Sequence, residues 1–373
     1  MKKTIITATI AFLSLCIQAQ NSNNSYSKGG TSLQNAITSA TSVGQNRCNT
    51  SQVMEAIRSQ DPIAYDMQKA QKEQELQNWI TNNYAAYNAQ RAVITIPVVV
   101  QIWENTSTVS DNNVYEQIAI LNEDFRRLNS DASNTPSVFS SIVADCEIEF
   151  CLASFDPQGN LTSGIVRKTV GGSPAGQGGN DLWDSNKYLN IFVYGIGGGT
   201  LGYTYLASQA PNNAVHIGSN YFGSSGQSAP FNLGRTATHE VGHWLNLEHI
   251  WGDSNCGNDF CNDTPTQQSE NYNCPSHPSA SCGNSGDMFM NYMDYVNDNC
   301  MNSFSADQKA RMIAAINTYR SGLLTSSSAA CGTAALTADF SANQTTVSVG
   351  TSINFTDLSS GGATTWAWTF NGA

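Results

Sequence analysis

Charged side chains are scarce in this 373-residue chain, at 12% of residues, against roughly 25% in an average soluble protein. Basic residues are the scarcer kind, with 17 Lys and Arg against 29 Asp and Glu, and the net charge is −12. That excess repels phosphate backbones and argues against nucleic-acid binding through a broad basic surface. Hydrophobic residues make up 40% of the chain, enough for a sizeable core, which argues against disorder throughout.

Long apolar runs are also rare, and the main one lies at the N-terminus. Lys2 and Lys3 precede an apolar run over residues 5–17, and small and polar residues follow, as in a secretory signal peptide. The run is shorter than the roughly 18 residues of a membrane-spanning helix, and no later segment reaches that length. We therefore expect a secreted, extracellular protein without a membrane span, cleaved after residue 20.

Removal of residues 1–20 changes the charge from −12 to −14 and leaves nine of the ten cysteines. Such a cysteine content fits an oxidising compartment. The remaining chain divides by composition and periodicity. We predict a Ser/Asn-rich leader and helical prosegment over residues 21–92, a catalytic domain over 93–322, a Ser/Ala/Thr-rich linker over 323–335 and a small β module over 336–373.

Residues 93–322 alternate between strand and helix patterns. A β-branched run over 93–103 and apolar runs over 147–153 and 189–194 predict strands, while residues 114–128 carry apolar side chains on one helix face. A last helix begins at the Ser305 cap and stops at Gly322. This order indicates an α/β or α+β domain.

Three of the five histidines fall within one eleven-residue segment, at His239, His243 and His249. On a helix, His239 and His243 lie one turn apart on the same face, where two neutral imidazoles can bind one Zn²⁺. Glu240 is placed to reach a water molecule activated by that zinc. Three histidine ligands leave one position open for water, which is typical of a catalytic rather than a structural zinc.

His249 cannot share the face of His239 and His243 if the helix continues straight. The chain must break and turn back, which requires a residue that tolerates the left-handed conformation near position 246. Asn is the best substitute for Gly at such a position. We therefore predict that Asn246 has a positive φ.

The segment resembles the extended zinc motif of the metzincin metalloproteases, and Asn291-Tyr292-Met293-Asp294-Tyr295 resembles their Met-turn, with Met293 beneath the metal. The segments Trp251-Gly252-Asp253, Asp263-Thr264-Pro265 and 299–304 are similar to those of the pappalysin family. This resemblance implies an α+β fold with a twisted mixed sheet, an active-site helix and a C-terminal helix. Asn246 departs from the wider clan, which has Gly there.

The same resemblance implies a zinc endopeptidase that cleaves peptide bonds in protein substrates, with Glu240 as general base. It assigns Tyr295 to stabilisation of the oxyanion, and it pairs Cys256 with Cys282 and Cys274 with Cys300. A surface adhesion or glycan-binding protein with a degenerate protease domain is the alternative. The intact base and ligand set favours the enzyme.

The remaining cysteines leave several readings open. Cys146 and Cys151 are close enough in sequence to pair, although their side chains would face opposite ways along a strand. Cys261 and Cys331 are not assigned. Cys48 precedes the catalytic domain, and its thiolate could fill the open zinc position and keep the precursor latent. A disulfide or an incidental thiol is the alternative for Cys48.

A loop rich in acidic and amide groups follows the zinc motif. Its oxygen ligands suit Ca²⁺, which pappalysin relatives bind nearby, although a solvated acidic loop is the alternative. Asp298 is the nearest acidic candidate to read an Arg or Lys after the scissile bond, a preference of ulilysin-like relatives. The calcium candidates are Asp253, Asp259, Asp263 and Thr264.

The last segment alternates apolar and polar residues and ends in Trp366-Ala367-Trp368-Thr369-Phe370. It resembles the first half of a polycystic-kidney-disease (PKD) type β-sandwich, a module that commonly serves as a spacer or binder. Too few strands are present to close a sandwich, so we expect an incomplete module.

Overall fold

The computed structural model describes residues 47–90, 92–103, 109–168, 181–331, 340–348 and 350–357. The predicted signal peptide, most of the leader and the Trp366–Phe370 segment lie outside these residues. Within the described part of the chain, no helix combines the length and the apolar composition needed to cross a membrane.

The described residues form helices around one mixed sheet, with a separate two-stranded pair near the C-terminus. The helices are α1 (Thr50–Arg58), α2 (Pro62–Trp79), α3 (Ala85–Gln90), α4 (Asp111–Phe125), α5 (Arg235–Trp244), α6 (Ala306–Tyr319) and α7 (Leu323–Ala330). The strands are β1 (Ile94–Trp103), β2 (Ile148–Leu152), β3 (Ile165–Lys168), β4 (Leu189–Tyr194), β5 (Gly202–Tyr203), β6 (Val215–Gly218), β7 (Phe340–Ala342) and β8 (Phe355–Asp357).

Strand β1 is the centre of the sheet. Its β-branched run is almost entirely buried because helices cover both faces, as is usual for parallel strands. It pairs in parallel with β2 and then β3 on one side and with β4 on the other. The order continues through β6 to β5, which is antiparallel and forms the edge nearest the zinc motif. This is the mixed sheet that the pappalysin resemblance implies.

Helix α4 is shorter than its apolar pattern predicts. It begins at a capping box built by Ser110 and Asn113, and it ends at Phe125. Arg127 then adopts φ +52°, which turns the chain out of the helix. Leu128, which we predicted on the buried face, is consequently 71% exposed. The prediction of a helix through Leu128 was therefore wrong at its C-terminal end.

The predicted linker is largely helical. Residues 323–330 form α7, with Leu323 and Ala330 buried against the domain. The carbonyl of Ala330 accepts a hydrogen bond from Ser154 N at 2.6 Å. A Ser/Ala-rich sequence resembles a linker in composition, but Ala favours helix and the burial of Leu323 stabilises it. The helix therefore packs against the sheet, with Ala330 beside Ala153 and Tyr188.

The cysteine pairing differs in part from the sequence analysis. Cys256 pairs with Cys282 and Cys274 with Cys300, as the resemblance implies. The suggested Cys146–Cys151 bridge was wrong, because Cys151 pairs instead with Cys331, directly after α7. Cys146 is a buried free thiol. The free cysteines are Cys48, Cys146 and Cys261.

The helical segment 50–90 packs on the catalytic domain through α6. Leu76 of α2 is fully buried with Ala314 and Ala315. Beside it, Glu73 accepts two hydrogen bonds from the buried guanidinium of Arg311, at 2.7 and 2.9 Å. The break between α1 and α2 has a sequence signal in Asp61, which caps α2 by accepting from Ala64 N at 3.0 Å.

Of the predicted β module, the structure describes one antiparallel pair. Strands β7 and β8 align Phe340 with Asp357 and Ala342 with Phe355. The rings of Phe340 and Phe355 lie 5.8 Å apart. The pair agrees with a β module, and its identity as PKD-like stays a prediction.

Candidate metal centre

Helix α5 presents His239 and His243 on one buried face. The Nδ1 of His239 lies 2.6 Å from the carbonyl of Tyr292, and the Nδ1 of His243 lies 2.7 Å from that of Leu247. A carbonyl can only accept, so each Nδ1 carries the proton and each Nε2 presents a lone pair. Both Nε2 atoms therefore face the interior as metal ligands do.

Asn246 ends this helix in the left-handed conformation that the sequence predicts, with φ +71°. Leu247 N donates to the carbonyl of Gly242 at 3.0 Å, which closes the turn and reverses the chain toward His249. The side chain also makes a hydrogen bond to a neighbouring loop, in which Asn246 Oδ1 accepts from Ser208 N at 2.8 Å. Asn thus combines tolerance of positive φ with a tie to a neighbouring loop.

Substitutions at Asn246 should distinguish its backbone conformation from its side-chain hydrogen bond to Ser208. We expect Asn246→Gly to keep zinc affinity, with a lower melting temperature because Ser208 N loses its acceptor. Asn246→Val should cost about 1–2 kcal/mol or more in backbone strain alone, displace His249 and weaken zinc binding at least tenfold. Zinc titration of both variants measures this, and wild-type affinity in Asn246→Val would contradict the assigned turn.

The three histidines converge at one point. His243 Nε2 lies 3.1 Å from His239 Nε2 and 3.0 Å from His249 Nε2. Burial lowers the pKa of His243 to about 3, so its ring is neutral. Imidazole nitrogens that meet through their lone pairs cannot satisfy one another, whereas a cation at their centre would. Nitrogen donors about 3.3 Å apart suit tetrahedral Zn²⁺ with Zn–N of about 2.0–2.1 Å, so the residues present fit zinc.

Met293, the predicted Met-turn residue, packs against Gly242 of α5. Met293 is fully buried. A Cβ on Gly242 would lie only 2.5 Å from the Met293 sulfur. Only glycine at position 242 allows the helix to approach Met293 this closely. The carbonyl of Met293 also accepts from Ile250 N at 3.2 Å, which fixes the residue after His249. The Met-turn therefore supports both arms of the motif.

Glu240 is completely buried beside the three histidines. Its Oε2 accepts from the hydroxyl of Thr50 at 3.1 Å, and its Oε1 has no hydrogen-bond partner among the described residues. Burial raises the pKa of this carboxyl to about 7. A carboxyl with such a pKa can both accept and release a proton near neutral pH.

Cys48 is brought to the same point from the helical segment before the catalytic domain. Its sulfur and one nitrogen from each of His239, His243 and His249 all lie within 4.8 Å of one another. Burial, and then the Glu240 carboxylate, raise the pKa of the thiol. Among the residues that the structure describes, this is the one cluster of three or more His, Cys, Asp or Glu ligands.

The backbone around Cys48 runs along the edge of the sheet. Cys48 forms a parallel bridge with Gly202 of β5, and Asn49 N donates to the Gly202 carbonyl at 3.1 Å. Tyr295 Oη donates to the Cys48 carbonyl at 3.1 Å. The segment before the catalytic domain therefore occupies the cleft beside the histidines, and the Tyr295 hydroxyl faces a peptide carbonyl there.

Arg47 enters a buried pocket that ends at Asp298. The guanidinium lies 3.0 Å from Asp298 Oδ1, both side chains are buried, and a second guanidinium nitrogen donates to the carbonyl of Val296. Asp298 Oδ2 accepts from Leu233 N at 2.9 Å, which fixes the carboxylate. The sequence analysis did not assign Arg47, although a lone Arg next to Cys48 was the available signal.

The four calcium candidates do not form one cluster. Asp253 Oδ1 lies 2.7 Å from His249 Nδ1, and among the described residues no group of three or more potential ligands includes Asp253, Asp259 or Asp263. Thr264 donates to Asp259 at 2.8 Å, and Asp263 has one buried oxygen without a hydrogen-bond partner among the described residues. Burial raises the pKa of Asp259 to about 6. The side chain of Asp253 contacts His249, and the assignment of calcium ligands stays a prediction.

Comparisons with known proteins agree with this geometry. Residues 176–317 match the family described as Peptidase_M43, pregnancy-associated plasma protein-A. An extracellular metalloprotease of Verticillium alfalfae is 32% identical over 248 residues, which cover 62% of this chain and 78% of the relative. The chain belongs to the pappalysin family. It is accordingly a metzincin metalloendopeptidase.

Further relatives of this pappalysin are fungal and bacterial. Extracellular metalloprotease 1 of Coccidioides posadasii is 40% identical over 141 residues, 36% of this chain and 51% of the relative. Mature mirolysin of Tannerella forsythia with a cleaved peptide has TM-score 0.59 and 41% identity, and covers 62% of this chain and 96% of its own. A promirolysin mutant of Tannerella forsythia has a TM-score of 0.65 and 38% identity, and the match covers 76% of this chain and 98% of the promirolysin chain. The precursor structure thus matches more of this pappalysin than the mature enzyme does.

Proposed function

We propose that this pappalysin is a secreted zinc endopeptidase that is made as a latent precursor. The observation that carries the proposal is the convergence of the Nε2 atoms of His239, His243 and His249, next to the buried carboxylate of Glu240. All four groups of a metzincin centre are intact. The extracellular metalloproteases among the relatives support secretion, and residues 1–20 are proposed as the signal peptide.

His239, His243 and His249 would hold the zinc ion, which would supply the Lewis acidity that polarises a scissile carbonyl and acidifies a water molecule. Glu240 accepts the proton of the attacking water and delivers it to the leaving amine. In the precursor, burial raises the pKa of this carboxyl, which favours uptake of a proton. Its Oε1, which has no hydrogen-bond partner among the described residues, is the oxygen proposed to take up the proton.

Tyr295 is proposed to stabilise the negative charge that develops on the scissile carbonyl oxygen. Its ring packs against His249 at 5.0 Å and Trp251 at 4.8 Å, which holds the hydroxyl in place. In the precursor that hydroxyl donates to the Cys48 carbonyl. A substrate carbonyl in the same position would receive the same hydrogen bond.

The metal requirement tests the proposal. Purified enzyme should contain about one zinc per chain, and activity on a denatured protein mixture should disappear after chelation with 1,10-phenanthroline and return on addition of Zn²⁺. The three Nε2 atoms converge on one point, where a zinc ion would satisfy their lone pairs. Undiminished cleavage by a preparation shown to be free of metal would contradict the proposed mechanism.

Calcium is proposed in the loop around Asp259, Asp263 and Thr264. The Thr264 hydroxyl contacts the Asp259 carboxylate, and burial raises the pKa of both Asp259 and Asp263, so a bound cation would stabilise the charged form of these carboxyl groups. Metal analysis of the same zinc-loaded preparation measures calcium, and its absence after dialysis against calcium buffer would remove this site.

Asp298 is proposed to select a basic residue just after the scissile bond. The support comes from Arg47, whose guanidinium reaches Asp298 in a pocket shielded from solvent. Asp298 is held by Leu233 N and Arg235 N, so it does not depend on Arg47 for its position. A substrate Arg or Lys could therefore replace the Arg47 side chain after the prosegment leaves.

Asp298→Asn should reduce kcat/KM for a peptide with Arg at that position by about 10- to 100-fold, because one charge-assisted hydrogen bond of about 1.5–3 kcal/mol becomes neutral. A matched peptide with Leu at that position should change much less. Both are measured on the processed enzyme. Equal losses for the two peptides, or a wild-type cleavage profile without basic preference, would refute the assignment.

Residues 21–92 are proposed as leader and prosegment, with Cys48 as the fourth zinc ligand of the latent state. A thiol whose pKa is raised by burial becomes a ligand once a cation holds it as thiolate. Arg47 occupies the proposed substrate pocket in the same segment. Residues 336–373 are proposed as part of a PKD-like module, and the oligomeric state is not assigned.

A further inference from the structure

His249 differs from the other two candidate ligands in what it contacts on its outer nitrogen. The Nδ1 atoms of His239 and His243 donate to backbone carbonyls. The Nδ1 of His249 lies 2.7 Å from the carboxylate oxygen Oδ1 of Asp253. One histidine of the three is therefore paired with a negative charge.

The chain is shaped locally to make this contact. Gly252 and Asp253 are consecutive residues with positive φ, +62° and +54°. They turn the backbone after Trp251 so that Asp253 returns to the residue four positions before it. A Cβ at Gly252 would lie 2.3 Å from Asn258 N, so the turn is also closed tightly by the following loop.

The ring of His249 is held on its face as well as at its edge. The indole of Trp251 stacks on it at 4.4 Å between centroids and at an interplanar angle of 14°. Stacking fixes the plane of the ring, and the Asp253 carboxylate fixes its rotation within that plane. Together they direct Nε2 toward the other two histidines.

We propose that Asp253 is a positioning residue of the metal centre, whose carboxylate accepts the Nδ1 proton of His249, sets its tautomer and strengthens its Nε2 as a ligand. This inference rests on the proposed zinc site. Outer-shell partners of this kind typically contribute 10- to 100-fold in metal affinity. Asp253 lies outside the group of candidate ligands and contacts His249, so its effect passes through that histidine.

The prosegment reaches the same carboxylate. Ser51 Oγ donates to Asp253 Oδ1 at 2.8 Å and lies 3.3 Å from His249 Nδ1. A substitution at Asp253 therefore has two routes to the metal, one through His249 and one through the docking of the segment that carries Cys48. Ser51→Ala removes the second route and leaves the contact between Asp253 and His249 in place.

The test measures zinc release from the full chain in a Cys48→Ala background, where the thiol cannot hold the metal. Each variant is loaded with one zinc, and transfer to a chromophoric chelator is followed. We expect Asp253→Ala to release zinc 10- to 100-fold faster than its parent, and Asp253→Asn, which keeps an acceptor without the charge, to lie between them. The visible spectrum of the Co²⁺-substituted protein should shift in both Asp253 variants.

Ser51→Ala in the same background should change release less than threefold and leave the Co²⁺ spectrum unchanged. A parental release rate and spectrum in folded Asp253→Ala and Asp253→Asn would overturn the inference. So would a Ser51→Ala effect as large as that of Asp253→Ala. If the parent itself bound no zinc, the proposed function would fail, which is a separate and recognisable result.

Discussion

Glu240→Ala should retain zinc and lose about 10²- to 10⁴-fold in kcat/KM for peptide cleavage, the usual contribution of a general acid–base group. Glu240 is adjacent to the ligands but none of its described contacts is with a histidine ring, so its removal leaves the three Nε2 donors in place. What disappears is the group that moves the proton from water to the leaving amine.

The measurement uses enzyme from which an added protease has removed the prosegment, because Thr50 engages Glu240 in the precursor. Zinc content is determined on the same samples. Glu240→Gln preserves shape without the proton chemistry and should be as inactive as the alanine variant. Glu123→Gln, at an exposed position on α4, is the matched control for loss of one negative charge. Wild-type turnover by zinc-loaded Glu240→Ala would show that another group is the base.

Cys48→Ala should make the unprocessed precursor active, at least tenfold above the wild-type precursor. Prosegment binding is intramolecular, so the thiol acts at a high effective concentration and even a modest ligand excludes substrate. The sulfur lies within 4.8 Å of the three ligand nitrogens. Without the thiol, the fourth position is open to water and substrate, although Arg47 still contacts Asp298 and slows access.

The chain offers matched controls for this result. Cys146 and Cys261 are the other buried free thiols among the described residues, and both lie outside the histidine cluster. Cys146→Ala and Cys261→Ala precursors should stay as latent as wild type. Peptide cleavage by intact precursor is measured with gel analysis of its length in parallel. A wild-type precursor as active as the processed enzyme, or a disulfide at Cys48, would remove the switch.

The Glu240→Ala and Cys48→Ala variants together distinguish latency from catalysis. A Glu240→Ala precursor should stay uncleaved if the enzyme processes itself, whereas Cys48→Ala should mature faster than wild type. The double variant should keep full length and stay inactive, because opening the fourth position has no effect without the base. Maturation of the double variant in pure form would indicate a contaminating protease.

The sequence by itself determined the features that depend on local geometry. Helical spacing placed His239 and His243 on one face, and the need for a reversal before His249 predicted the left-handed Asn246, found at φ +71°. The start of α6 at the Ser305 cap and strand β1, with its β-branched run, were also predicted from local sequence. Each follows from backbone sterics and hydrogen bonding over a few residues, which a short segment fixes without knowledge of the rest.

The predicted ends of helices and the predicted linker differ from the structure, because tertiary packing overrides composition there. Residues 323–330 look like a linker but form α7, since burial of Leu323 and Ala330 and the adjacent Cys151–Cys331 bridge stabilise the helix. Cys151 and Cys331 are 180 residues apart. No local rule selects such a pair, because many folds of the chain would satisfy the same strand and helix patterns.

Only the tertiary structure decided which distant residues meet at the metal centre. Arg47 and Asp298 are 251 positions apart, and Ser51 and Asp253 are 202 apart. Their contacts depend on the parallel bridge between Cys48 and Gly202 and on the packing of α2 against α6. Motif spacing identifies the ligands because a helix and a turn bring them together. The groups that orient the ligands, cover the metal centre and select the substrate come from separate elements. Only the packing of the described chain brings them to the site.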